Sequence, residues 1–184
     1  MPDPASTTTD EQLMAAYVAG DARAFGVLFQ RYGQVLYRIV RRRLGSDDDA
    51  RDVVQQTMLQ MHRARADFRT DSKVRPWLFT IAMNLVREHY RRSGRRREQG
   101  LEHEPRASES AQPEQRTLSD ERMARVRKAL ASLPAQQREV IELHWFEESP
   151  YEEIAQIVGA SVAAVRVRAH RGYQRLREIL PEHE

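Results

Sequence analysis

Apolar residues recur three or four positions apart along most of this chain, in stretches too long for strands, and each stretch is closed by a glycine, a proline or a polar cap. Leu13, Met14, Tyr17 and Val18 outline a short first helix, capped by Asp10 and closed by Gly20. Asp21 opens a longer helix with Phe25, Leu28, Phe29, Tyr32, Leu36, Ile39 and Val40 on its apolar side. That helix is weakened slightly by Gly33 and ends near Gly45, after basic residues suited to the negative end of the helix dipole. The aspartate-rich stretch from Ser46 to Asp52 heads a third helix, which continues through Val53, Val54, Thr57, Met58, Met61 and His62. Residues 64–73 read as a polar loop carrying one ring, Phe68. A fourth helix runs from Val74 to Tyr90, with Pro76 tolerated in its first turn and Trp77, Leu78, Ile81, Ala82, Leu85 and Val86 as its apolar row. By composition, Trp77 is a core residue before it is a ligand.

The pattern then lapses. Residues 94–119 hold two glycines and two prolines in a mixed-charge stretch with little to bury, which predicts a flexible linker. Beyond it, Leu118, Met123, Val126 and Leu130 mark one helix, and Pro134 opens another carrying Val140, Ile141, Leu143 and Trp145. From Ser149 the chain reads as helix, turn and longer helix. Ser149 is placed as N-cap, Pro150 at the first helical position and Glu152 as the capping-box partner, with Tyr151, Ile154, Ala155 and Val158 inward and Gly159 ending the helix. Ser161 caps the next, whose inward stripe is Val162, Val165, Ala169, Tyr173, Leu176 and Leu180. Ala164, Arg168, Arg171 and Arg175 ride opposite that stripe, with Arg166, Val167 and His170 beside them. The expected fold is all-α: a disordered 1–9, a helical domain at 10–93, a linker at 94–119 and a helix-turn-helix domain at 120–182.

Charge sharpens the picture more than composition does. The formal net charge is only +3, yet His62 to Arg97 contains eleven Lys or Arg against three Asp or Glu, and no acid occurs from Ser161 to Arg177. Arginines beside Phe68 and Trp77 suit unpaired nucleic acid, where bases stack on rings and phosphates meet guanidinium groups. Arginines along a second helix of a helix-turn-helix suit a major groove, although they can also simply solvate a helical hairpin. With no cysteine there is no disulfide or thiolate chemistry, and six scattered histidines lack metal-ligand spacing. No nucleophile and base are set by a recognisable motif, so no catalytic residue, metal or cofactor is expected. The absence of a long apolar run and of a signal-like N-terminus points to a cytoplasmic chain without membrane insertion.

Three segments, DDDARDVVQQTML, FRTDSKVRPWLFTIAMNLVREHYRR and LPAQQREVIELHWFEESPYEEIAQIVGASVAAVRVRAHRGYQRLRE, together with the linker between the last two, resemble the small extracytoplasmic-function (ECF) sigma factors of bacterial RNA polymerase. The resemblance implies that the first domain clamps a coiled coil of core RNA polymerase through Asp49, Asp52, Gln55 and Gln56. It implies capture of the −10 strand of promoter DNA by Phe68, Arg69, Lys73, Trp77, Asn84, Arg87 and Arg91. It further implies that Ser161, Ala164, Arg166, Val167, Arg168, His170, Arg171 and Arg175 meet the −35 duplex, and that an anti-sigma factor is a possible partner. The chain departs from the family's commoner residues at Arg51 and Gln56, where acids are usual, at Ala164 and Val167, where Thr and Ser are usual, and at Pro150. Val167 cannot donate to a base, but its methyls suit thymine. The alternative reading is a helix-turn-helix regulator whose first domain is a protein-interaction or signal-sensing module.

Overall fold

The computed structural model describes residues 8–69, 71–98 and 118–180, which form eight α-helices and a 3-10 turn with no strand among the described residues. The chain divides into two compact units, Met1–Glu109 and Ser110–Glu184.

In the first unit α1 spans Asp10–Val18, α2 Ala22–Leu44, α3 Asp47–Arg63 and α4 Val74–Glu98, with the 3-10 turn at Arg65–Asp67. α2 packs against α1, α3 and α4, and Met14, Leu28, Leu36, Ile39, Met61, Leu78, Phe79 and Met83 are fully buried among them. Thr57 is buried as well, its hydroxyl donating to the Val53 carbonyl at 2.7 Å. The cap of α1 is Thr9, one residue before the expected Asp10: Thr9 and Gln12 exchange side-chain and backbone bonds at 3.2 and 2.9 Å. That frees Asp10 to receive Arg31 at 2.5 Å and the Tyr32 hydroxyl, tying α1 to α2. Burial, and then this hydrogen bond, push the Tyr32 phenol well above its ordinary range. Thr8 and Thr9 are thus part of the first unit, and the rest of the expected disordered N-terminus lies outside the described residues.

Asp21 and Ser46 cap α2 and α3 as read, accepting from Arg23 N at 2.9 Å and Asp49 N at 3.3 Å, and Gly45 ends α2 in the left-handed region at φ 77°. α4 differs in two respects. It continues past Tyr90 to Glu98, because an arginine-rich stretch propagates a helix across Gly94 at a cost of about 1 kcal/mol. Its buried row is Leu78, Phe79, Ala82, Met83 and Val86, while Trp77, Ile81 and Leu85 are only half-buried. Two adjacent apolar rows run along this helix, and spacing alone does not say which one faces the core. Phe29, also expected inward, is 47% exposed, its ring resting where α2 has no side chain, at Gly33.

In the second unit α5 spans Leu118–Ser132, α6 Ala135–Phe146, α7 Tyr151–Val158 and α8 Val162–Ile179. Leu130, Leu133 and Ile141 form one buried cluster, flanked by Val126, Phe146, Tyr173 and Leu176, while Val140, Leu143, Ile154, Ile157 and Val165 are also buried. Met123 and Trp145, expected inward, are 44% and 68% exposed. The start of α7 is built otherwise than expected. Pro150 is the N-cap, with no side-chain hydrogen bond, and the fully buried Ser149 donates to Glu153 at 3.2 Å while its carbonyl meets His144 Nδ1 at 3.0 Å. Glu152 is left exposed and takes no part in a cap. Gly159 ends α7 at φ 64°, and Ser161 caps α8 by accepting from Ala164 N at 3.2 Å. On α8 the row against the core is Val165, Ala169 and Gly172, with Tyr173 half-buried at its flank. A Cβ on Gly172 would stand 2.5 Å from Ile141 Cδ1, so α6 and α8 approach closely only because that side chain is absent.

Of the expected linker 94–119, Gly94 to Glu98 belong to α4 and Leu118 and Ser119 to α5; residues 99–117 lie outside the described residues.

Candidate nucleic-acid interface

The segment joining α3 to α4 carries Phe68, Arg69 and Lys73 of the expected strand-binding residues, and α4 carries Trp77, Asn84, Arg87 and Arg91 along about 21 Å of its length. Phe68, half-buried, packs its ring 4.9 Å from that of Trp77, tilted by 53°, so neither ring is isolated in solvent and neither is core. Arg69 is forked on Asp71, Nε to Oδ1 at 3.1 Å and Nη2 to Oδ2 at 2.8 Å. That pairing raises the Arg69 pKa further and lowers that of Asp71. Lys73 is exposed, with Glu11 of α1 3.8 Å away. On α4, Asn84 accepts from Arg87 at 2.6 Å, and Arg91 follows one turn later in solvent. At roughly 100° per residue, Trp77, Asn84, Arg87 and Arg91 share one face of α4.

The four residues expected to meet polymerase lie along one outward arc of α3, about 120° wide and opposite its buried row. Asp49 turns toward α4, with His89 3.9 Å away, and Asp52 and Gln56 lie close to it around α3. Gln55 stands at the other edge of that arc, lining a groove of about 1050 Å³ between α2 and α3 together with Phe25, Phe29, Tyr37, Arg51 and Met58. Arg51 donates to Asp48 at 3.2 Å on this side. Beside the groove, Asp47 accepts from the Tyr37 hydroxyl at 2.6 Å and from Arg41 Nε at 2.5 Å. The bond from Tyr37, and then that from Arg41, hold the Asp47 carboxyl below its usual range. Sequence reasoning missed the α2 contribution, although an aromatic at Phe29 with a glycine one turn on was a usable signal.

On α8 the outward arc is wider than expected. Opposite the core stand Ala163 and Val167, the latter 48% exposed. Ala164, Arg168, Arg171 and Arg175 form the flank toward α6, where the first three join Val167 and Pro134 to Gln137 around a concavity of about 700 Å³. Arg175 donates to Gln137 there at 3.3 Å. Arg166 and His170 form the other flank, with Arg166 3.4 Å from Glu152 of α7. Ser161 is spent on its cap. The helix therefore presents a two-sided basic edge with an apolar centre. Among the described residues no group of His, Asp or Glu could hold a metal ion, and no helix is long and apolar enough to cross a membrane.

Comparison with known proteins places this arrangement. The model of Sigma-70 region 2 matches residues 28–96, and that of Sigma-70 region 4 matches residues 123–176. The chain is 32% identical over 173 residues to the ECF RNA polymerase sigma factor SigM of Mycobacterium tuberculosis, covering 94% of this chain and 85% of that protein. Among solved structures, CnrH in complex with the cytosolic domain of CnrY superposes with a TM-score of 0.72 at 32% identity, over 93% of this chain and 96% of that one. The sigma factor RpoE of Bartonella quintana, in complex with the anti-sigma factor NepR, gives 0.70 at 28% identity over 89% and 100%. With both regions matched, and a relative of this identity spanning nearly the whole chain, the protein belongs to the ECF sigma factors of bacterial RNA polymerase.

Proposed function

We propose that this sigma factor engages promoter DNA through two chemically different surfaces and core RNA polymerase through α3. In the first unit, Phe68 and Trp77 take up an unstacked −10 base, while Arg69, Lys73, Arg87 and Arg91 meet the strand's phosphates and Asn84 orients Arg87. Opening a base pair costs a few kcal/mol, which stacking on aromatic rings offsets at about 1 to 3 kcal/mol per base. In the second unit, α8 reads the −35 duplex: Val167 suits a thymine methyl, Arg171 a guanine edge, and Ser161, Ala164, Arg166, Arg168, His170 and Arg175 the adjacent backbone and bases. Asp49, Asp52, Gln55 and Gln56 meet polymerase along one outward arc of α3. An anti-sigma factor is the expected inhibitor, as NepR is the bound partner of the related RpoE.

The observation that carries this reading is the half-buried Phe68–Trp77 ring pair at the head of an α4 face that continues into Arg87 and Arg91, so that stacking and phosphate pairing can follow one another along a strand. The test is open-complex formation by core polymerase with full-length protein on a promoter selected from a random duplex library. Phe68→Ala should keep polymerase binding and duplex recognition but lose most strand opening. Equal opening by Phe68→Ala and the unaltered chain would reject the assignment.

A further inference from the structure

The segment expected to capture the strand is not held by its own helices alone. Helix α1, which lies wholly before residue 28, where the region 2 match begins, touches it at both ends. At the far end, Glu11 Oε1 accepts from the backbone N–H of Val74, the first residue of α4, at 3.4 Å and stands 3.8 Å from Lys73 Nζ. The first turn of α4 contains no acidic residue, while Lys73 and Arg75 place positive charge at the positive end of its dipole. Glu11 therefore supplies from another helix the carboxylate that α4 lacks. At the near end, the Tyr17 ring lies under the Arg65 guanidinium at 5.9 Å and its hydroxyl meets His62 Nδ1, while Arg65 donates to the His62 carbonyl at 2.6 Å. α1 is itself pinned to α2, since Arg31 reaches Asp10 and, at 2.8 Å, the Thr8 carbonyl.

We propose that α1 is a brace that sets the geometry of the strand-binding segment, with Glu11 and Tyr17 as positioning residues that touch no DNA. Glu11 caps α4 and holds Lys73, the phosphate-facing lysine, near its working position. Tyr17 fixes the 3-10 turn from which the chain runs to Phe68. This rests on the assignment of Phe68 and Trp77 to strand capture.

The experiment uses full-length protein with core polymerase and a pool of forked duplexes whose non-template single strand is randomised. The readout is the enrichment of the preferred strand sequence after selection. Phe68→Ala tests the underlying assignment: retained enrichment means that strand capture lies elsewhere, and the brace falls with it. Given loss in Phe68→Ala, Glu11→Ala should lower enrichment roughly five- to tenfold, the scale of a lost helix cap, in protein still folded at the temperature of selection and with polymerase affinity nearly unchanged. Glu11→Gln keeps an acceptor for the Val74 N–H but not the charge facing Lys73, and should restore enrichment part of the way. Should Glu11→Ala unfold, Tyr17→Phe, which removes only the His62 contact, should also broaden the selected sequences. Enrichment by Glu11→Ala and Tyr17→Phe equal to that of the unaltered protein, with Phe68→Ala defective, would overturn the brace.

Discussion

Arg51, basic where the sequence resemblance leads one to expect an acid, donates to Asp48 one turn earlier, and both side chains stand mostly in solvent. An exposed helix pair of this spacing contributes about 0.2 to 0.5 kcal/mol, so Arg51→Ala should shift the unfolding free energy by no more than about 0.5 kcal/mol in urea titrations. Gln56, the other departure, lies roughly 140° around α3 from Arg51. Arg51→Glu and Gln56→Glu should therefore act independently, their effects on core-polymerase affinity adding within about 0.5 kcal/mol. Titrating labelled single and double variants with core enzyme checks this; strong coupling would mean that both contact one group on polymerase. Asp47 gives a pH-dependent case. Its carboxyl titrates below its ordinary value of 3.8 because Tyr37 and then Arg41 hydrogen-bond to the charged form. A depressed folded pKa contributes stability above the unfolded value, and that contribution is lost as pH falls through the folded one. Asp47→Asn should thus differ from the unaltered chain at neutral pH and converge with it in acid, as denaturant midpoints at stepped pH would record.

At the scale of elements, the tight passage of α8 over α6 depends on Gly172. Alanine is worth up to about 1 kcal/mol over glycine in a helix, and Gly26→Ala, with open space around it, should gain roughly that amount. Gly172→Ala should instead lose about 1 to 2 kcal/mol, since its Cβ would meet Ile141 Cδ1 at 2.5 Å in a side chain only 2% exposed. Ile141→Val deletes that very atom. In a four-protein thermal melting series, the pair should be more stable than the two separate losses imply; simple additivity would refute the steric account. Gly172 also shows where the sequence was legible and where not. Helix count, the helix-turn-helix, the caps at Asp21, Ser46 and Ser161 and the glycine ends at Gly45 and Gly159 follow from local chemistry, and they were readable. A glycine inside a helix reads as a weakness until the neighbour it admits is known. Likewise two apolar rows on α4 made Trp77 and Phe79 interchangeable on spacing, and only packing against α2 and α3 separates them. Asp10 failed as a cap because Thr9 was equally able, and Ser149 because its hydroxyl donates to Glu153 instead of accepting from the backbone. Expected site residues could be picked out by type, arginine and aromatic, but the rotation of those on α8 relative to its core row could not.

On the scale of the whole molecule, each unit offers the promoter, under the proposed assignment, only a small surface, and joining them raises the effective concentration of the second contact. Each half alone, presented with core polymerase, should bind a selected promoter at least tenfold more weakly than the full chain, and binding by the full chain should fall steeply with salt as phosphates exchange counterions for arginine. Equal affinity of one half, measured by filter retention at fixed salt, would reject the division of labour. The two tryptophans, one in each unit, extend this further. Trp145 stands 68% exposed, whereas Trp77 is half-covered by Phe68. Indole emission shifts to the red with water contact and is quenched by stacked bases, so the protein carries a separate optical reporter for each unit. With Trp145→Phe, the remaining fluorescence watches the Phe68–Trp77 end of the first unit alone, bluer and partly shielded from iodide, and a base stacked on the ring pair, as proposed, should quench it. With Trp77→Phe, it watches the outer face of α6, where any protein partner that covers Trp145 would announce itself as a blue shift in real time.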